Sequence, residues 1–432
     1  MSKYALHIKN QLLSIIESIA AEPEKFVLRP GKDFTRNRKL PFEEVMKMLL
    51  SMEGGCLDSE LLNHFGFTLS TASASAFVQQ RTKILPAAFR HLFYEFVSGL
   101  KNLKTFEGYR LLAFDGSDIH LPLNPNDAKT YYETKGKKGY NLLHLNALYD
   151  LHNKIYLDAS LQPGKKQHER KALTQMMDRS PLKEDVLLIC DRGLESYNVL
   201  AHIEEKAWKY LIRVKDVDST GIWSKLKLPE TNQFDVNVDL ILTRKLNNEI
   251  RAHQDEFRNL HTGTPFDYLT ESDFYLMSFR AVRVEIEEGT YHCFITNLSA
   301  DQFSADDVKE FYHMRWGIET SFRELKHALG LVSFHSKKTE CVTQEVFAKL
   351  VMYNFCSTIT LNVVIKQPKG KFPYQVNYTR AIQICRKFFM SFAHPPDIEA
   401  LIRKYILPVR PSRSYPRKVK SRTFVSFLYR VA

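Results

Sequence analysis

The sequence predicts an α/β protein: a mixed sheet covered by helices, interrupted by a mostly β segment and flanked by helical regions. Three observations carry this reading. Helical apolar periodicity runs to about residue 105, strand-like runs alternating with helices begin near residue 110, and a long helical pattern returns after about residue 300. Composition admits such a fold. The chain has 432 residues, enough for two or three domains, with 44% hydrophobic and 25% charged residues, which is globular rather than disordered. The longest uncharged apolar-leaning run, residues 350–365, holds Asn354, Ser357, Thr358, Thr360 and Asn362 and is too short for a membrane span. Glu17, Glu22 and Glu24 make the first 26 residues unlike a secretory signal. A soluble, cytoplasmic protein is expected.

Residues 1–105 form the first helical region. Phe42, Val45, Met46, Leu49 and Leu50 recur at helix spacing, and Gly54-Gly55 ends the pattern. A short helix over 57–65, a break at Gly66 and a second helix over 73–85 follow. The second helix carries Ser73, Ser75, Gln79, Gln80, Arg81 and Lys83, side chains that can reach base edges and phosphates. It reads as half of a helix-turn-helix or as one of two ordinary packed helices.

Residues 106–215 give the order β-β-β-α-β-α-β. The apolar run 111–114 ends at Asp115, and segments 142–149 and 154–161 flank a turn at Asp150-Leu151-His152-Asn153. A helix over 169–177, a buried strand over 186–190 ending at Asp191, a helix over 196–208 and a strand over 210–214 complete the unit. Residues 216–300 show strand-like segments at 234–243, 273–283 and 291–296, hence a β-rich insertion. One long helix is expected over 306–330, inside a unit spanning 301–345. Residues 346–432 read as a helical region with a basic tail.

Lys and Arg number 61 against 49 Asp and Glu, a net charge of +12, which favours a polyanionic partner. In the tail Arg410, Arg413, Arg417, Lys418, Lys420 and Arg422 are interleaved with Tyr415, Phe424 and Tyr429, a composition suited to phosphate contact. No two of the six cysteines have zinc-type spacing. They are expected to be reduced and mostly buried.

Two acidic residues, Asp115 and Asp191, sit where apolar strands end, and strand ends open onto the ligand crevice of an α/β sheet. Each alone could be a helix cap or turn residue, and Asp118 competes with Asp115. Downstream, Tyr312, Arg315, Glu319 and Lys326 fall within an arc of about 60° on a helical wheel, beside an apolar stripe of Phe311, Met314, Ile318, Phe322, Leu325 and Leu329. Such a stripe is either a solvated face or one wall of a crevice. Carboxylates from strand, strand and helix are hard oxygen ligands suited to two Mg²⁺ ions, which can drive in-line phosphoryl transfer. Arg315 and Lys326 would then contact phosphate, and Tyr312 would offer a face for a displaced base.

The stretch from Phe311 to Lys326, Phe-Tyr-His-Met-Arg-Trp-Gly-Ile-Glu-Thr-Ser-Phe-Arg-Glu-Leu-Lys, resembles the Y-x2-R-x3-E-x6-K signature of bacterial insertion-sequence DDE transposases of the insertion-sequence-four family. Asp115 in Ala-Phe-Asp-Gly-Ser and Asp191 in Ile-Cys-Asp-Arg-Gly resemble that family's first two catalytic carboxylates. The resemblance implies an RNase H-like catalytic domain with a β insertion and an N-terminal DNA-binding region. It implies catalysis and metal binding by Asp115, Asp191 and Glu319, with two Mg²⁺ (Mn²⁺ as a substitute) and DNA contacts from Tyr312, Arg315 and Lys326. The partners implied are double-stranded DNA, as terminal inverted repeats and as target, and a second copy of the chain in a synaptic homodimer. Members cut transposon ends and join the 3′-hydroxyls to target DNA in the bacterial cytoplasm, at the nucleoid. Some form a hairpin whose flipped base stacks on an insertion-domain Trp, for which Trp223 is the candidate. The alternatives are an RNase H-like nuclease without strand transfer, a transposase-derived regulator without catalysis, and a basic helical scaffold.

Overall fold

In the computed structural model, which describes residues 3–36, 38–134, 136–270, 272–367, 372–391 and 396–409, the chain opens with helices. These are α1 (Lys3–Ala21), α2 (Phe42–Ser51), α3 (Leu57–His64), α4 (Ala74–Arg81) and α5 (Pro86–Gly99). Then come β1 (Arg110–Leu121), β2 (Tyr131–Thr134), β3 (Lys137–Asp150), β4 (Ile155–Pro163), α6 (Glu169–Arg179), β5 (Val186–Cys190), α7 (Tyr197–Glu205) and β6 (Lys209–Val214). The insertion contributes β7 (Phe234–Thr243), α8 (Asn248–Ala252), β8 (Phe257–Asn259), β9 (Phe274–Glu287) and β10 (Thr290–Thr296). The chain continues through α9 (Ala305–Met314), α10 (Trp316–His327), α11 (Thr339–Leu361), β11 (Tyr374–Val376), α12 (Tyr378–Met390), α13 (Ile398–Lys404) and β12 (Ile406–Pro408).

The centre of the sheet runs β4-β3-β1-β5-β6. β1, β3 and β4 are antiparallel neighbours, while β5 and β6 run parallel to β1. This is the RNase H-like arrangement. The insertion does not form a sheet of its own: β10 pairs antiparallel with β6, and β9, β7 and β8 extend the same sheet outward. Continuous pairing removes the edge that β6 would otherwise expose. Alternation along β1 sorts its two faces. Ala113, Ile119 and Leu121 pack with α10 and α11, while Leu112 and Phe114 pack with α6 and α7.

The terminal helical regions share one core. α11 is buried on nearly every side, as its apolar residues without a polar face require. It packs against α5, α12, α2, α1 and β4. The apolar run at 350–365 therefore lies largely within the central helix of a helical layer. Among the described residues no helix is long and apolar enough to cross a membrane. Cys56 is partly exposed and the other cysteines are buried, all with free thiols.

Several expectations change. β1 runs on past Asp115 to Leu121 because residues 112–121 pair in unbroken register with β3, so Asp115 lies within a strand rather than at its end. The single helix expected over 306–330 is two, α9 and α10. At Arg315 the ladder tightens to three-residue spacing, with Arg315 N donating to Tyr312 O and Ile318 N to Arg315 O, each at 3.1 Å. In α4, Gln80 and Arg81 are buried rather than free to read DNA. Arg81 donates to Gln344 Oε1 (3.1 Å) and Cys341 O (2.6 Å) and pairs with Glu345 (2.7 Å). Trp223 is 2% exposed and packs on Phe234 in the core, where it has no open face for a base. The basic tail from Arg410 to Arg422, with Tyr415, Phe424 and Tyr429, lies outside the described residues.

Around Arg81 lies a buried polar junction. Burial pushes the Glu345 carboxyl up, but Arg81 and His335 more than offset this and hold it at about 2. Lys349, fully enclosed, donates to Met52 O, and burial lowers its ammonium to about 7. Arg386 donates to Ser51 O and Met52 O at 2.7 Å. These bonds fix the loop after α2 against α11 and α12. Removing one partner of a buried pair strands the other charge. Arg81→Ala should therefore cost about 3–5 kcal/mol in denaturant unfolding, while Gln79→Ala on the exposed side of α4 should stay within about 0.5 kcal/mol. Equal effects would show that Arg81 is not a structural tie.

Candidate active site

β1 and β5 are parallel neighbours, with Ala113 opposite Ile189. Two residues further along each chain come Asp115 and Asp191, which therefore emerge side by side. Asp191 leaves β5 and accepts a hydrogen bond from Gly193 N at 2.9 Å, capping a short turn. α10 packs against β1 and presents Glu319 one turn beyond Arg315. The three carboxylates act on one another electrostatically. Burial lifts the Asp115 carboxyl to about 7; Arg315 and the Gly116 N–H oppose the rise, while Asp191 and Glu319 add to it.

Arg315 is the countercharge. Its guanidinium donates to Glu319 Oε1 at 2.6 Å and lies 3.6 Å from Asp115 Oδ2, with its side chain 8% exposed. Its Nε is buried without a partner. Among the described residues, no three His, Cys, Asp or Glu side chains converge closely enough to hold an ion as they stand. The donor chemistry nonetheless suits a hard divalent cation: Asp115, Asp191 and Glu319 supply carboxylate oxygens, two of them beside the part-buried Arg315 guanidinium. Lys326 Nζ donates to Ser117 Oγ and Asp118 O, both at 2.8 Å, tying α10 to β1 just past Asp115.

Tyr312 is 6% exposed and stacks obliquely on Phe294, with ring centroids 4.9 Å apart. The Arg315 guanidinium lies 5.6 Å from its ring. Trp316, next to Arg315, is 50% exposed. Tyr312 and Trp316 line a cleft of about 450 Å³ together with His292, Lys309 and His313. Trp316 lies inside the motif, on the side of the helix away from the apolar stripe, and is a candidate contact that the sequence reading passed over.

A second group flanks the carboxylates on the opposite face of β1. His144, directly across from Asp118, shares hydrogen bonds with Asp118 Oδ1 and with Glu169 Oε1, each at 2.9 Å. Burial disfavours the charged ring, but the two carboxylates more than offset it and raise His144 to about 9. His144 in turn lowers the Asp118 carboxyl. Asp118 is thus engaged away from Asp115. The clamp crosses directly over Gly116: a β-carbon there would stand 2.3 Å from both Glu169 Oε1 and His144 Nε2. In the sequence, alternation shows that His144 faces away from Leu143 and Leu145, but nothing local names Glu169 as its partner.

The pattern that defines the transposase DDE domain matches residues 106–355, more than half of the chain. The chain belongs to the transposase DDE domain family. The transposase InsG of insertion sequence element IS4 from Escherichia coli K12 is 28% identical over 142 residues, which cover 30% of this chain and 32% of that protein. The transposase of insertion sequence element IS231E from Bacillus thuringiensis subsp. finitimus is 22% identical over 236 residues, 49% of this chain and 48% of that protein. The chain thus spans about half or less of the length of these curated relatives. Among solved structures, the piggyBac transposase synaptic complex with hairpin DNA aligns with a TM-score of 0.47 and 9% identity, covering 92% of this chain and 79% of that one.

Two measurements test this transposase-family site. Between about pH 4 and pH 7 the folded chain holds a proton on Asp115 that the unfolded chain has released, so stability falls as pH rises through this window. Asp115→Asn removes the penalty. Its thermal midpoint should exceed that of the unmodified chain at pH 8, with the advantage vanishing towards pH 4; a constant difference would refute the charge crowding. Gly116→Ala should part His144 from Glu169, and an NMR titration of the His144 ring should then show its pKa falling from about 9 towards the ordinary value near 6.5. An unchanged titration would show that the clamp does not need the glycine.

Proposed function

We propose that the chain is a DNA transposase that cuts DNA at transposon ends and joins the 3′-hydroxyl ends to target DNA by phosphoryl transfer. What supports this reading is the match to the transposase DDE domain, whose family implies divalent metal use, together with Asp115 and Asp191 leaving adjacent parallel strands and the electrostatic influence of Asp191 and Glu319 on the part-buried Asp115. Asp115, Asp191 and Glu319 would hold the ions, two Mg²⁺ with Mn²⁺ as a substitute. When bound, such ions supply an activated water and stabilisation of the leaving 3′-oxygen.

The remaining roles belong to the chain's own side chains. Arg315 pairs with Asp115 and Glu319 in the free protein and would turn its planar fork to a phosphate near the cut. Lys326, anchored on Ser117 and Asp118, supplies a point charge on the same side of α10. Tyr312 and Trp316 both line the adjoining cleft, Tyr312 nearly buried and Trp316 with half of its ring open. A displaced base would lie there rather than on the buried Trp223. The partners in this reading are double-stranded DNA at the terminal repeats and target, with two copies of the chain bridging paired ends in the bacterial cytoplasm.

The test uses duplex DNA from the borders of the coding region, with Mg²⁺. Nicking followed by joining of a 3′-hydroxyl end to a second duplex is the expected outcome; nicking without joining would favour a nuclease. Asp115→Asn, Asp191→Asn and Glu319→Gln should each bring nicking below detection while DNA affinity stays near that of the unmodified chain. Arg315→Ala and Lys326→Ala lose charge-assisted bonds of about 1.5–3 kcal/mol each, so single-turnover nicking should fall roughly 10- to 150-fold. Near-normal nicking by any one carboxylate variant would remove that residue from the triad.

A further inference from the structure

Asp115 and Asp191 leave neighbouring strands, but the ladder between those strands stops short of them. The register of β1 with β5 ends at the pairs Leu112 with Leu188 and Ala113 with Ile189. Past that point β1 continues along β3 to Leu121, whereas the chain after β5 turns through Arg192–Leu194. The separation of the two carboxylate-bearing backbones is therefore not set by the β1–β5 ladder. The first turn of α6 spans it instead.

Two consecutive residues of α6 reach in opposite directions. Glu169 reaches β1: its Oε1 shares a hydrogen bond with His144 Nε2 at 2.9 Å, and His144 Nδ1 shares another with Asp118 Oδ1 at 2.9 Å. The Glu169 carboxylate lies over Gly116, where a β-carbon would stand 2.3 Å from Oε1, so this approach to the residue beside Asp115 needs a glycine. Arg170 reaches the turn after β5, where its Nε donates to Gly193 O at 3.0 Å. Gly193 is also the residue whose N–H donates to Asp191 Oδ1, at 2.9 Å. Neighbouring residues thus hold β1 on one side and the Asp191 turn on the other.

The base of this strut is itself fixed. His168 N donates to Gln162 Oε1 at 2.8 Å, and Asn146 Nδ2 donates to the same oxygen at 3.3 Å. Asn146 is fully buried and stands opposite Gly116 in the ladder of β3 with β1. The His168 ring caps the helix by accepting from Lys171 N at 3.2 Å, and α6 packs on β1, β3, β4 and α7. Carboxylate side chains turn readily about their own bonds, but a drift of the two backbones changes which oxygens can face a common ion. Small hard cations of the Mg²⁺ kind demand near-ideal octahedral geometry and are sensitive to such drift.

We propose that Glu169 and Arg170, with His144, are positioning residues that hold the backbones of Asp115 and Asp191 at a fixed separation for cation binding. This assignment rests on the transposase reading for what the two carboxylates hold. The strut works only with both ends attached, so cutting either end releases it. Charge alone predicts a different outcome: removing the Arg170 cation near a carboxylate site would tighten cation binding, whereas releasing the strut weakens it.

The experiment measures Mn²⁺ binding to the full chain, without DNA, by electron paramagnetic resonance of the free ion. Only the binding that Asp115→Asn abolishes is counted. Glu169→Ala and Arg170→Ala should each weaken it at least about 10-fold, the lower end for partners that orient metal ligands. The double variant should lie within about twofold of the weaker single variant, because both changes cut one link. Glu169→Gln keeps an acceptor for His144 and should stay within about threefold of the unmodified chain. Lys171→Ala, at an exposed position of the same turn, should leave binding unchanged. A second measurement needs no cation: in the metal-free chain, hydrogen exchange over residues 192–195 should quicken at least about threefold in Glu169→Ala, although Glu169 bonds on the β1 side. Unchanged or tighter Mn²⁺ binding in Arg170→Ala would overturn the inference, and so would additive losses in the double variant. Arg170 is exposed, so its variant keeps the test decisive if Glu169→Ala misfolds. If Mn²⁺ binding does not depend on Asp115 at all, the metal reading of the carboxylates falls, while quickened exchange over 192–195 would still show the strut and unchanged exchange would remove it.

Discussion

The parallel pairing of β1 with β5 is the constraint on which the candidate site depends. It brings Asp115 and Asp191 out of adjacent strands at one place, and α10 adds Glu319 to them. Burial resists ionisation of the Asp115 carboxyl and lifts it to about 7, with Asp191 and Glu319 adding to the rise. Folding tolerates this because Arg315 reaches Glu319 and Asp115 at once. The tether from Lys326 to Ser117 and Asp118 O holds α10 against β1 just past Asp115. A site of this kind is held in tension by the fold and is suited to a stronger countercharge than one guanidinium.

The opposite face of β1 answers that tension. His144 joins Asp118 to Glu169 over Gly116, so β1 is tied to α6 three residues past Asp115 by charge-assisted bonds. The strand that carries the first carboxylate is therefore gripped from both faces, by Lys326 on one and His144 on the other. Further out, α11 is enclosed by helices from both ends of the chain. The buried bonds of Arg81, Lys349 and Arg386 set the register between those helices more specifically than apolar packing alone would.

Much of the fold was legible because its signals are local. The runs 186–190 and 234–243 appear as strands with the same limits, β5 and β7, since buried or alternating apolar residues bounded by polar ones leave few other readings. The helices from Phe42, Leu57 and Glu169 begin where the periodicity begins. Where the reading slipped, a partner distant in sequence decided the outcome. Asp115 looked like a strand terminus because the apolar run stops there, yet hydrogen bonding to β3 carries the strand on. Gln80 and Arg81 looked like a reading surface because they are polar, yet Gln344 and Glu345 from the far end of the chain enclose Arg81. Trp223 looked available because nothing local buries it, and Phe234 does.

By itself the sequence determined the mixed α/β class, the strand-rich character of residues 216–300, and the alignment of Tyr312, Arg315, Glu319 and Lys326 along one side of a helical segment. Each rests on periodicity or spacing within a few residues, which backbone geometry translates directly into a face or an end. Tertiary structure alone decided that Arg315 bridges two of the carboxylates, that His144 clamps β1 to α6, and that the insertion continues the central sheet. Those facts depend on contacts between segments far apart in the chain. Hydrophobic burial brings such segments together without regard to sequence distance, and only then does each charge meet, or fail to meet, its partner.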